Sequence, residues 1–305
     1  MNSATNSSSS VGPRTNAAEL LMVESVLIAV TRITTYARGQ LLTNATGFFF
    51  ERDGRLFVIT NRHVVISEST GHRPDRIDLE LHVNEKNIAE VASQSIPLYN
   101  NGQPVWRQAQ DTSGLVDVVA IEINRSTLPS SFVFYAFNME NLVVKMDVIE
   151  VGTPLLIVGF PLGFHDTLHH LPVARQAIIS SAFGLRFQGL GYFLTDARLH
   201  RGTSGAPVVT RSTRQSGRNQ LPFLLLGVHS ARLDAVYDLN QDERLALNVA
   251  WYSDVLSVLT DPNALTAPMP DAPKTDSSGT PAGKQPAAKG QPQKPAEPMA
   301  TQPVP

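Results

Sequence analysis

Apolar residues in this chain come in short runs of strand length rather than in helical stripes. The runs are SVLIAVTRI, TGFFFE, RLFVITN, IDLELHV, DVVAIEI, PLLIVGF, RQAIISSAFG, GYFLTD, GAPVVT and FLLLGVHS. They are rich in β-branched and aromatic residues, and turn-forming stretches such as ERDGR and NNGQP separate many of them. Many short strands without intervening long helices point to an all-β protein built from antiparallel barrels or sandwiches, not to a βαβ architecture. One late segment, VAWYSDVLSVLTD, reads as a helix packed on the last strands. No period recurs that would indicate a solenoid or propeller.

The ends break this pattern. Residues 1–18 are Ser/Asn-rich, and residues 262–305 are dominated by Pro, Ala, Lys and Gln. Such segments bury too little apolar surface to offset the entropy of ordering them, so both termini are expected to be disordered, the longer one acting as a spacer. The folded body is therefore expected within residues 19–261.

Composition narrows the function classes. The chain has 305 residues, 42% of them hydrophobic and 17% charged, with a formal net charge of −2. A near-neutral protein offers no general field for nucleic acid or an anionic membrane, so neither is expected as a partner. Cysteine is absent, which removes disulfides and thiolate metal sites and suits a reducing cytoplasm. The early apolar stretch LLMVESVLIAV is interrupted by Glu24 and is too short to span a bilayer.

The stretch TDARLHRGTSGAPVV, residues 195–209, sets Ser204 among glycines ahead of a β-branched run. A serine hydroxyl is a poor nucleophile at neutral pH unless a base lies in reach, an acid orients that base, and N–H groups await the oxyanion. Two upstream segments offer the missing parts. LFVITNRHVV ends a strand in Thr60-Asn61-Arg62-His63, and LVDVVAIEI places Asp117 against an otherwise apolar run. The order His, Asp, Ser differs from the Ser, acid, His order of α/β-hydrolases. GTSGA also lacks the final glycine of the hydrolase elbow, because Ala206 stands there.

These three segments resemble those of trypsin-like serine peptidases, nearest to the bacterial Deg/HtrA-type protease domains. VITNRHVV is similar to that family's histidine segment, VDVVAIEI to its aspartate segment, and TDARLHRGTSGAPVV to its serine loop. LLIVGFPLGF with AIISSAFG resembles the opening of its second barrel. The resemblance implies a chymotrypsin-like fold of two antiparallel six-stranded β-barrels, about 19–140 and 145–261, with a C-terminal helix. It implies that His63 is the general base, Asp117 its orienting acid and Ser204 the nucleophile, with the Gly202 and Ser204 amides as the oxyanion hole. No cofactor and no metal are implied, and the substrate would be a polypeptide.

Departures from the family are also legible. Arg201, Thr203 and Ala206 replace the usual serine-loop residues, and no PDZ-like segment follows the body. Thr203 stands where trypsin has the aspartate that pairs with a cleaved N-terminus, so activity without zymogen cleavage is expected. For substrate binding, Gly227-Val228-His229 resembles the pocket strand of glutamyl endopeptidases and of viral proteases that prefer glutamine. Arg198 falls where trypsin keeps its pocket-floor charge, and Ser230 and Arg232 follow His229. A cationic or hydrogen-bonding pocket favours acidic or amide side chains before the scissile bond.

GFHDTLHH brings His165, Asp166, His169 and His170 close in sequence, and this is read as a solvated loop rather than a metal site. The leading expectation is a serine endopeptidase. Two alternatives stay open: a non-catalytic protease-fold module that binds peptides, and hydrolysis of esters by the same three residues.

Overall fold

The computed structural model describes residues 23–143, 149–212, 221–233 and 246–264, without the side chains of residues 232 and 233. The two termini expected to be disordered lie outside the described residues, apart from the first few positions after 261.

Among the described residues, fifteen strands follow in chain order. The first nine are β1 (Val30–Ala37), β2 (Gln40–Arg52), β3 (Arg55–Thr60), β4 (Arg76–His82), β5 (Val91–Pro97), β6 (Tyr99–Asn100), β7 (Gln103–Pro104), β8 (Trp106–Asp111) and β9 (Gly114–Ile123). The rest are β10 (Pro154–Gly159), β11 (Val173–Ile178), β12 (Tyr192–Thr195), β13 (Pro207–Arg211), β14 (Phe223–Leu233) and β15 (Leu247–Tyr252). Among the described residues, three short α-helices join them: α1 (Ser25–Ile28), α2 (Arg62–Val65) and α3 (Val255–Leu259).

The strands form two antiparallel sheets, ordered β5-β4-β1-β2-β3-β9-β8 and β11-β10-β13-β14-β15-β12, with β6 and β7 as a separate ribbon. Local sequence explains the hairpins. Arg38-Gly39, Asp53-Gly54 and Asn101-Gly102 connect paired strands, and all six residues take positive φ, between 49° and 79°. That conformation gives the primed two-residue turn whose twist matches antiparallel strands.

Both sheets are buried on two faces. One cluster fills the first sheet with Ile33, Phe49, Val58, Trp106 and Ile121. Another fills the second sheet with Ile157, Phe193, Val208, Leu226 and Tyr252. A third runs between the sheets, where Phe48, Phe50 and Phe57 meet Val158, Phe160 and Val228. Consecutive residues of β2 from Ala45 to Phe50 are therefore all buried, which is why TGFFFE lacks polar alternation.

Three expectations need correction. The first sheet has seven strands rather than six. The stretch containing β5 and β8 (VASQSIP and WRQAQD) has no continuous apolar run, because the half-exposed β5 and the opposite edge strand β8 are held in place by backbone pairing. SVLIAVTRI begins as the one-turn helix α1 before becoming β1. VAWYSDVLSVLTD divides into β15 and the five-residue α3, since VAWY pairs with β12 and β14 instead of continuing the helix. Among the described residues, no helix is long and apolar enough to cross a membrane.

Candidate active site

His63 sits on α2, the single helical turn after β3, and Asp117 lies within β9, the strand paired with β3. The pairing puts the two groups side by side. The His63 Nδ1–H donates to Asp117 Oδ2 at 2.7 Å, and the His63 backbone N–H donates to Oδ1 at 2.9 Å. Buried Asn61 fixes the same junction by donating from Nδ2 to the Asp117 carbonyl at 2.7 Å. A carboxylate only accepts, so this contact places the imidazole proton on Nδ1 and leaves the Nε2 lone pair for a proton from elsewhere.

Ser204 precedes β13 in a loop pinned to both sheets. Its carbonyl accepts the Thr46 N–H at 2.9 Å, and the neighbouring Gly205 N–H donates to the His229 carbonyl at 2.9 Å. The Ser204 hydroxyl donates to the Ser230 carbonyl at 3.2 Å, so at rest it faces β14 rather than the imidazole. Among the described residues, neither the Gly202 nor the Ser204 amide donates to another backbone carbonyl. Those two amides are free to meet a negative oxygen.

Glycine is required at two positions in this loop. Gly202 has φ +91°, and a Cβ there would lie 2.5 Å from the Phe160 carbonyl oxygen. Gly205 has φ +86°, with a Cβ position 2.1 Å from the Thr46 carbonyl oxygen and 2.3 Å from Thr60 Oγ1. Only a residue without a side chain permits so close a backbone approach.

Thr46 was not legible as part of this site, and it is central to it. It is fully buried in β2, donates from Oγ1 to the Gly202 carbonyl at 2.8 Å, and accepts the Phe160 N–H at 3.1 Å. Its own carbonyl accepts Thr60 Oγ1 at 2.8 Å. The available signal was a hydroxyl inside an otherwise apolar run, since a buried polar group needs partners.

A cleft of about 970 Å³ joins His63, Ser204 and Gly202. Leu42 and Leu162 line it together with Arg73 and Arg201, two exposed cations that sequence reasoning did not assign to the site. Arg198 is exposed and does not line this cleft, and the side chain of Arg232 lies outside the described residues. Ser230 donates its hydroxyl to Asp117 Oδ2 at 2.6 Å, giving the carboxylate a third donor. His229 is 3% exposed, and its Nδ1 has no hydrogen-bond partner among the described residues. Burial pushes its pKa down to about 3, the charge of nearby His63 adds to the shift, and Asp117 partly opposes it.

The description of the trypsin-like peptidase domain matches residues 45–216, more than half of the chain and the span holding His63, Asp117 and Ser204. The chain belongs to the trypsin-like peptidase domain family. It is similar to the mitochondrial serine protease HTRA2 of Drosophila persimilis, 24% identical over 193 residues, covering 63% of this chain and 37% of that protein. It is also similar to the serine protease HTRA3 of Mus musculus, 24% identical over 207 residues, covering 66% of this chain and 39% of the relative. This peptidase-family chain thus spans less than two fifths of the length of these curated relatives. Among solved structures, the serine endoprotease from Yersinia pestis aligns at TM-score 0.45 with 16% identity, covering 76% of this chain and 61% of that one.

Proposed function

We propose that this chain is a serine endopeptidase that cleaves polypeptides through an acyl-enzyme at Ser204, with residues 19–261 as the catalytic unit. The observation carrying this reading is the two-point clamp of Asp117 on His63, at 2.7 and 2.9 Å, at the edge of the cleft that also holds Ser204. In this reading the Ser204 hydroxyl leaves the Ser230 carbonyl and turns to His63 Nε2 across the cleft that both residues line. As Oγ attacks the scissile carbonyl, its proton passes to Nε2, and Asp117 stabilises the imidazolium that forms. The tetrahedral oxyanion takes the free Gly202 and Ser204 amides. The leaving amine then receives the proton from Nε2, and water repeats the sequence to release the acyl group.

A preference for amide or acidic side chains before the cut rests on His229, a buried imidazole with an unpartnered Nδ1 two residues before Ala231, which lines the cleft. Held neutral by burial, this ring offers one N–H donor and one acceptor, which matches a carboxamide. Substrates with glutamine or glutamate before the cut are expected to outrun lysine or leucine equivalents, and a cleavage profile led by basic residues would remove this preference.

The experiment that tests the catalytic reading compares the full chain with Ser204→Ala, using a serine-directed fluorophosphonate and a quenched peptide library. Labelling is expected only on the unsubstituted serine, with turnover on Ser204→Ala reduced by roughly 10³-fold or more. Equal labelling of both proteins would refute Ser204 as the nucleophile, and no labelling of either would leave the chain a peptide-binding module of the same fold.

A further inference from the structure

The loop from Phe160 to Pro172, between β10 and β11, carries three histidines, and the fold sorts them into two groups. His169 turns to Asp166 and donates from Nδ1 to Oδ2 at 2.7 Å, forming a local pair on an exposed tip. His165 and His170 turn the other way, toward Glu80 on β4 of the first sheet. One donor atom from each of Glu80, His165 and His170 lies within 4.8 Å of the other two.

We propose that Glu80, His165 and His170 form a binding site for a zinc-class divalent cation that ties the two sheets together beside the catalytic cleft. The donor set is two imidazoles and one carboxylate, a combination that suits zinc and its neighbours more than calcium or magnesium. Tetrahedral coordination at metal-to-ligand distances near 2.1 Å needs donors about 3.4 Å apart, so small side-chain rotations close the site.

The atoms around the cluster prepare it. His165 Nδ1 lies 2.6 Å from the Gly163 carbonyl, which only accepts, so the proton sits on Nδ1 and the Nε2 lone pair is left for a metal. Glu80 divides its oxygens: Oε2 faces Arg32 Nε at 2.9 Å, while Oε1 faces His170 Nδ1 at 2.6 Å. Despite that short separation, His170 Nδ1 is buried and not aligned for a hydrogen bond. His170 also holds a left-handed backbone conformation, φ +57°, which costs free energy for a residue with a side chain. The Arg32 charge beside Glu80 Oε2 opposes a cation and lowers the affinity of the site.

The location gives the site a consequence. The same loop supports the serine loop: Leu162 N–H donates to the Arg201 carbonyl at 2.6 Å, and Gly202 packs directly on the Phe160 carbonyl. A bound cation fastens this loop to β4 and raises the stability of the folded chain. That coupling to the oxyanion amides rests on the catalytic reading above; cation binding does not.

The test uses the full chain carrying Ser204→Ala, so that its outcome is independent of catalysis. Calorimetric titration with zinc chloride is expected to give one site, with magnesium and calcium chloride giving none. Cobalt(II) in its place is expected to give the intense visible bands of four-coordinate geometry. At a hundredfold excess over Kd the folded-to-unfolded ratio should rise about 100-fold, read as a melting temperature raised by roughly 5–10 °C. His165→Gln and His170→Gln should each weaken zinc at least tenfold, while His169→Gln leaves it unchanged; metal-free melting curves establish that each variant folds. Absence of binding at millimolar zinc, a pale six-coordinate cobalt spectrum, or zinc affinity unchanged from the parent chain in His165→Gln and His170→Gln would overturn the proposal. The cobalt spectrum decides even if a variant fails to fold.

Discussion

His229 makes acid stability a direct test of how its ring is buried. The imidazole is 3% exposed and its pKa falls from an ordinary 6.5 to about 3, chiefly through loss of water and next through the neighbouring His63. In the unfolded chain the same ring protonates near its ordinary value. Between those two pKa values the unfolded state therefore binds the extra proton, and stability falls as the pH falls. The contribution of His229 is fully present above pH 6.5 and is lost progressively toward pH 3. At pH 5 the loss is about 2 kcal/mol, from 1.5 pH units at about 1.4 kcal/mol each. The assay is urea unfolding of the full chain and of His229→Gln, followed by the fluorescence of Trp106 and Trp251, at pH 7.5, 6 and 5. Glutamine keeps a polar side chain of similar reach and does not titrate. Buried His82, whose pKa is also lowered by loss of water, acts equally in both proteins and cancels in the difference. The wild-type protein should lose about 2 kcal/mol more than the variant between pH 7.5 and pH 5. Parallel stability curves would show that the ring protonates freely in the folded state and is not enclosed as described.

Three further substitutions probe the site from different directions. Asp117→Asn should leave the fold intact and lower kcat by roughly 10⁴-fold, because an amide no longer selects the Nδ1–H tautomer of His63; a loss under tenfold would place the orienting role elsewhere. Gly205→Ala should destabilise the chain by about 3 kcal/mol or more in urea unfolding, through a disfavoured positive φ and overlap with the Thr46 carbonyl, and an unchanged midpoint would contradict that packing. Thr46→Val should remove the hydroxyl contacts to Gly202 and Phe160, costing about 2–4 kcal/mol and lowering kcat more than it changes KM. Equal stability and unaltered kinetics for Thr46→Val would mean that the serine loop is held by other contacts.

Much of this protein was readable before folding. Runs of β-branched and aromatic residues separated by Asp-Gly and Asn-Gly turns mark strands and hairpins, because turn conformation and side-chain shape act over a few residues. The glycines flanking Ser204, and the order of His63, Asp117 and Ser204, pointed to nucleophilic chemistry because those residue types are what that chemistry needs. Strand β5 escaped notice because an edge strand owes its place to a neighbour's backbone, which leaves no apolar run in its own sequence. VAWYSDVLSVLTD misled for a related reason: pairing with β12 and β14 overrode a local pattern compatible with helix.

The pocket residues could not be sorted by spacing alone. Arg198 counts to the right position and yet points to solvent, Ser230 turns to Asp117, and Arg73 and Arg201 reach the cleft from loops far apart in the chain. Thr46 and Glu80 likewise acquire meaning only from partners more than 80 positions away, Gly202 for one and the 165–170 histidines for the other. Local propensity acts between residues that are neighbours in the chain, and it determined the strands, turns and permissive glycines. Burial, charge and hydrogen bonding act between neighbours in space, and only the packed sheets decided which side chains share a cleft.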